Sequence, residues 1–301
     1  MYFIYLSFII ILFLIFYLCY YYSESQKEIE SQKEIESENT YHTYLYNSIE
    51  NKNNQMDLCD KLSYPIYFMN MDNNKKRRNF IEKQFEKYKI KNYIRVPGVD
   101  INNFKYNFET EYDLSNKQIG CIAAHIMTIL EFLKSDYDEA LILEDDASLS
   151  LLPHLNFNLN EFVKTKVPKD WEIISLSNFL CNKDNKKYDK NIKLYERVNK
   201  DESCWLTTAY IINKKAAKKL IKMVFKNDTI YINPVEPGFP TYGVADDYLY
   251  ALLKTYYITP SIIFPYNPEF KNNKIINDIM ISYLNNGFPK LNDKKFKIIQ
   301  I

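Results

Sequence analysis

Three carboxylates in a row, Glu144, Asp145 and Asp146, follow directly on the apolar run "ALIL" at 140–143. Crowded like charges repel, and a carboxylate beside a hydrophobic core is costly unless it is paired or bound to a metal. If strand geometry persists through the triplet, Glu144 and Asp146 point to one side and Asp145 to the other. Two oxygen donors at i and i+2 suit a hard divalent cation, Mg²⁺ or Mn²⁺, with positions to spare for water and substrate phosphates. The competing reading is a solvated loop or a cap on the next helix. Placement straight after a buried strand sets the metal reading beside it.

Acids of this kind need a scaffold that carries them to a cleft. "YPIYFMNM" (64–71) reads as a strand, and the segment 77–90 follows with Ile81, Phe85 and Tyr88 at helical spacing. "YIRVPGVD" (93–100) reads as a second strand. The segment 120–133 sets Ile122, Ile126, Ile129 and Leu133 along one helical face. Strands are expected again at 139–146 and 171–177, and 207–224 runs from strand into helix. This alternation predicts an α/β domain with a largely parallel central sheet. Ligands of such sheets bind beyond the carboxyl ends of the strands, where the acids lie.

Composition narrows the chemistry. The 39 basic and 38 acidic residues leave no electrostatic footprint for a nucleic-acid partner. The five glycines, at 98, 120, 238, 243 and 287, are too scattered for a dinucleotide fingerprint or a P-loop. The histidines (42, 125, 154) include no one-turn pair, and the five cysteines no C-x-x-C, so a structural zinc site is not expected.

Residues 1–22 carry no charged side chain, are long enough to span a bilayer, and have tyrosines at both ends. A cleaved signal peptide fits less well, because there is no basic n-region and no small-residue cleavage site. The expectation is a single-pass membrane anchor. Lys27 and Lys33 lie among glutamates, so the positive-inside rule gives little help and leans slightly against a lumenal body; a lumenal catalytic domain in the secretory pathway is nevertheless the expected arrangement. The stretch 23–60, with "SQKEIE" repeated, reads as a charged stalk. Residues 61–268 have globular texture, and 269–301 read as a closing segment.

Several stretches resemble, in the same order, the motifs of glycosyltransferase family 25, which includes lipopolysaccharide and procollagen galactosyltransferases. "ALILEDDASL" resembles its acid-x-acid segment. "IYFMNMDNNKKRR" resembles its opening strand and turn, matching at Asn70, Asp72, Arg77 and Arg78. "QIGCIAAHIMTI" resembles its E-x-G-C-x-x-S-H helix, matching at Gly120, Cys121 and His125. "RVPGVD", "TTAYIINKKAAKKL" and "VADDYLY" resemble further segments, so the likeness spans roughly 64–265. Gln118 stands where the family has glutamate and Ala124 where it has serine.

The resemblance implies a GT-A-like fold and an inverting transfer of galactose or glucose from a UDP-sugar to a glycan or protein hydroxyl. It implies Mn²⁺ (or Mg²⁺) held by Glu144 and Asp146, a donor bound by Asn70, Arg78, His125 and Asp145, and Asp246 as catalytic base. A helix N-terminus with acids suited to its dipole is the competing account of Asp246, and a hydrogen-bonded core histidine that of His125. The rival function is a non-catalytic GT-A-like binding or scaffolding module at a membrane, which the changes at Gln118 and Ala124 leave open.

Overall fold

The computed structural model describes residues 58, 61–177, 179–180, 191–198, 204–232, 244–266 and 288–300. The expected membrane anchor lies outside these residues, as does nearly all of the stalk. Among the described residues, no helix is long and apolar enough to cross a membrane.

The strands, in chain order, are β1 (Ile66–Asn70), β2 (Tyr93–Pro97), β3 (Asn107–Thr110), β4 (Glu139–Glu144), β5 (Ala147–Ser148), β6 (Ile173–Ser175), β7 (Phe179–Leu180) and β8 (Lys193–Glu196). They continue as β9 (Cys204–Trp205), β10 (Ala209–Asn213), β11 (Phe225–Lys226), β12 (Thr229–Ile232), β13 (Thr255–Thr259), β14 (Phe264–Pro265) and β15 (Ile298–Gln300). The α-helices are α1 (Lys75–Lys87), α2 (Asn116–Leu133), α3 (Leu159–Lys166), α4 (Lys214–Val224) and α5 (Ala245–Leu252).

Among the described residues, eight strands form the central sheet in the order β15-β8-β13-β6-β10-β4-β1-β2. Four of its seven neighbour pairings are parallel and three antiparallel, so the α/β sheet is mostly parallel but includes reversed strands. The arrangement fits a GT-A-like domain. Strand β10 is one of the reversed ones, antiparallel to both β4 and β6. Its apolar run followed by α4 looks, in sequence, like any parallel strand-helix unit.

Side chains alternate across the sheet with the strand period of two. Ile66, Phe68, Leu141, Leu143 and Ile211 enter one core, with α1 and α3 supplying Ile81, Phe85 and Phe162. Tyr67, Met69, Ala140, Ile142 and Ile212 enter the other, against α2, α4 and α5. Both faces are therefore covered, which is why the central strands read as continuous apolar runs.

Strand β1 has β2 on one side and β4 on the other, both parallel to it. The helix that leaves β1 packs on one face of the sheet, and the helix that enters β4 packs on the opposite face. The chain thus diverges at the carboxyl end of β1, a switch point of the kind that opens a ligand crevice.

Two details shape the crevice. Helix α2 begins at Asn116, earlier than the apolar stripe alone indicates, because Ser115 and Gln118 form a capping box. Gly120 brings α2 close to the β2 end: a Cβ there would sit 2.8 Å from the Val99 carbonyl oxygen. Beyond the Asp293–Lys295 turn, β15 adds a parallel edge strand beside β8.

Candidate active site

A cavity of about 450 Å³ opens at the switch point. Its walls come from the end of β1 (Asn70), the turn after β2 (Gly98, Asp100), the start of α2 (Gly120, Cys121) and the end of β4 (Glu144). Asp100 is a cavity residue that sequence reasoning passed over, although it closes the quoted "RVPGVD" segment.

Strand β4 ends at Glu144, and Asp145 and Asp146 form a turn. The expected strict alternation through the triplet therefore stops after its first acid. One cation reaches both turn acids: Arg77 Nη1 lies 2.8 Å from Asp145 Oδ1 and 3.4 Å from Asp146 Oδ2. Asp145 also accepts a 2.7 Å hydrogen bond from Asn70 Nδ2, whose own Oδ1 accepts from Arg95 Nε at 3.2 Å. Asn70 and Asp145, both expected at the donor, thus meet each other at the cavity.

Arg78 does not join them. It pairs with Glu82 one turn along α1, at 2.9 Å, on an outward face. Arg77, one position earlier, lines the cavity. Residues one apart on a helix face different ways, whereas Arg77 is four before Ile81 and so continues the inward stripe.

His125 is fully buried behind the acids rather than in the cavity wall. Its Nδ1 lies 3.1 Å from Tyr210 Oη and its Nε2 3.4 Å from Glu144 Oε1. It can orient Glu144, and, like Asp146 and Asp246, it is not among the residues that line the cavity. Gln118 closes the capping box, with Ser115 N–H donating to its Oε1 at 2.9 Å.

Asp246 comes from the first turn of α5 to the same end of the sheet. Thr207 Oγ1 lies 2.7 Å from Glu144 Oε1 and 3.0 Å from Asp246 Oδ1, and Leu206 N–H donates to Asp246 Oδ2 at 2.8 Å. Because β10 is antiparallel to β4, the residues that precede β10 stand beside the end of β4. Thr207 and Leu206 are site residues that sequence reasoning missed. Nothing in the local pattern marks them, since their position depends on the direction of β10.

The electrostatics separate the acids. Burial raises the Glu144 carboxyl, but His125, Thr207 and Arg77 outweigh it and leave the group below its ordinary value. Burial and then Glu144 push Asp146 up to about 8, with Arg77 pulling the other way. Burial, with Glu144 adding to it, raises Asp246, against the bonds from Leu206 and Thr207. Cys121 is exposed at the cavity wall, and desolvation of its sulfur by the surrounding atoms, with Glu144, Asp246 and Asp146 nearby, pushes its thiol well above its usual range.

Two donor sets could hold a cation. Among the described residues, one atom each of Cys121, His125 and Glu144 lie within 4.8 Å of one another. Glu144 and Asp146 offer oxygen donors, and the buried Asp146 Oδ1 has no hydrogen-bond partner. A buried orphan acceptor on a carboxyl close to other acids fits a hard divalent cation.

The sequence profile described as "Glycosyltransferase family 25 (LPS biosynthesis protein)" matches residues 63–234, more than half of the chain. The chain is also similar to the lipooligosaccharide biosynthesis protein lex-1 of Haemophilus influenzae, 29% identical over 127 residues. That match covers 40% of this chain and 41% of the relative, so the chain spans about two fifths of the length of that curated relative.

Proposed function

The chain belongs to glycosyltransferase family 25, and on that premise we propose that it transfers a hexose, galactose or glucose, from a UDP-sugar to a hydroxyl of a glycan or protein acceptor. The observation that carries this reading is the meeting of Glu144 and Asp246 on one hydroxyl, that of Thr207, beside a cavity at the switch point. The lipooligosaccharide role in the relative's name favours a saccharide acceptor over a protein one.

In the proposed reaction the acceptor oxygen attacks the anomeric carbon as the bond from that carbon to the diphosphate breaks, inverting the configuration. Asp246 takes the acceptor proton, a role to which its raised basicity is suited. Arg77 stands where a guanidinium can face a diphosphate, balanced meanwhile by Asp145 and Asp146. Asn70 holds Asp145 in place, and Asp100 offers a carboxylate to donor hydroxyls. Glu144 and Asp146 would hold Mn²⁺ or Mg²⁺, which when bound stabilises the charge of the leaving diphosphate.

UDP release measured over a panel of UDP-sugars with Mn²⁺ tests the reading. One hexose donor is expected to stand out, and a chelator should abolish its turnover until Mn²⁺ or Mg²⁺ is restored. Absence of UDP release from every donor in the panel, with acceptor glycans supplied, would favour the scaffolding role. Full turnover in chelator would remove the metal from the scheme.

We also propose that residues 1–22 anchor the protein in a membrane, with the catalytic domain lumenal. The support is the uncharged, spanning-length segment itself. The full chain should then stay with membranes through carbonate extraction, whereas a chain starting near Asn39 should be released.

A further inference from the structure

We propose that Thr207 is a positioning residue that fixes Asp246 against Glu144, and that helix α5 sets Thr207 in place by gripping Leu206. The proposal rests on the reading that Asp246 takes the acceptor proton. Thr207 is 2% exposed, and its single hydroxyl faces Glu144 Oε1 at 2.7 Å and Asp246 Oδ1 at 3.0 Å. A hydroxyl has one proton to give, and an ionised carboxylate only accepts. The two acids therefore compete for one donor, and Thr207 ties the orientation of each to the other. With Leu206 N–H on Oδ2, both oxygens of Asp246 are held, which stops rotation of the carboxylate.

Leu206 has φ of 94°, in the left-handed region that a residue with a branched side chain rarely adopts. Both of its backbone polar groups are held by α5. Asp246 accepts from its N–H, and Tyr250 Oη donates to its carbonyl at 2.9 Å. Asp246 and Tyr250 are four residues apart, one above the other on the same helical face. The helix that carries the base thus maintains the unusual backbone that presents Thr207 to it.

The contacts close into a ring. The fully buried Tyr250 packs edge-on against Tyr210, Tyr210 Oη meets His125 Nδ1, and His125 Nε2 faces Glu144. Glu144 returns to Thr207. Displacing one member shifts the geometry between the two acids without removing either.

The test compares Thr207→Val, Thr207→Ser and Tyr250→Phe in the full-length protein, with kcat at saturating substrates and donor Kd by calorimetry. Thr207→Val should lower kcat about 10- to 100-fold, the scale of a misplaced reacting group, with donor Kd within about threefold of wild type on the same reasoning. Thr207→Ser should recover most of the loss, because it restores the hydroxyl. Tyr250→Phe should lower kcat with donor Kd unchanged. A Thr207→Val enzyme at wild-type kcat, or a Thr207→Ser enzyme as impaired as it, overturns the proposal. So does a loss of donor affinity that accounts for the fall in rate. If Thr207→Val does not fold, Tyr250→Phe decides: unchanged kcat overturns the proposal, and reduced kcat at unchanged Kd supports it. Asp246→Asn, run beside them, separates the two levels. Normal turnover there removes the base assignment itself, whereas an inactive Asp246→Asn with a normal Thr207→Val removes only the positioning role.

Discussion

Asp246→Asn is expected to lower turnover by roughly 10²- to 10⁴-fold, the range for a positioned general base, while UDP-sugar affinity stays near wild type. The substitution isolates basicity unusually well here. Asparagine can still accept from Leu206 N–H through its oxygen. Its amide nitrogen can donate to Thr207 Oγ1, which then donates to Glu144 Oε1, so the network of hydrogen bonds is preserved. Burial and the nearby Glu144 raise the Asp246 carboxyl, so the wild-type rate should fall as pH drops through a value above the ordinary carboxylate range of about 4. The residual activity of Asp246→Asn should lack that acid limb. Donor calorimetry beside a transfer assay and a pH profile would read all three effects. Normal turnover by the variant would send the search to Asp247.

Asp146→Asn should behave in the opposite way, with cation-dependent donor binding and catalysis failing together by about 10²-fold or more, since a metal supplies several kcal/mol of charge stabilisation. Thermal melting gives a second readout. The Asp146 carboxyl is pushed up to about 8 by burial and Glu144, above the unfolded value near 3.9. Between those two values the folded state holds more proton than the unfolded chain, so this group makes stability decline as pH rises. Removing it should leave the cation-free protein at least as stable at pH 8. Mn²⁺ should raise the melting temperature of the wild type and leave that of Asp146→Asn unchanged. An equal Mn²⁺ response in both proteins would take Asp146 out of the metal site.

Much of the scaffold was legible because its signals are local. The alternating faces of Ile66–Asn70 and Ala140–Leu143, and the stripe of Ile81, Phe85 and Tyr88, all lie where periodicity puts them. The start of α2 was legible too, in the S-x-x-Q pattern of Ser115 and Gln118, but only to a reading that weighs caps beside apolar stripes. The choice between Arg77 and Arg78 could have been made from helix phase, and Glu82 four residues on was the natural partner for Arg78.

The rest depends on contacts between distant residues. No pattern in 207–213 tells whether that strand runs with or against β4, yet its direction is what brings Thr207 to Glu144. The left-handed Leu206 is equally silent, since leucine does not announce a positive φ as glycine would. His125 illustrates a third kind of difficulty. The family resemblance puts it near the donor, while it is buried between Tyr210 and Glu144 and does not line the cavity.

The reversed strand β10 has a consequence for how such an enzyme diversifies. In an all-parallel sheet every loop at the carboxyl edge follows a strand, and all would descend from one kind of connection. Here the segment that leads into β10 also reaches that edge, so the residues that line the cavity lie before position 146, while Leu206, Thr207 and Asp246, which meet Glu144 there, lie after position 205. Inheritance can act on the two blocks separately. On the proposed roles, substitutions in the earlier block would alter the choice of donor, and substitutions in the later block the choice of acceptor. The pairing of β4 with β10 and the hydroxyl of Thr207 are the seam that must be kept.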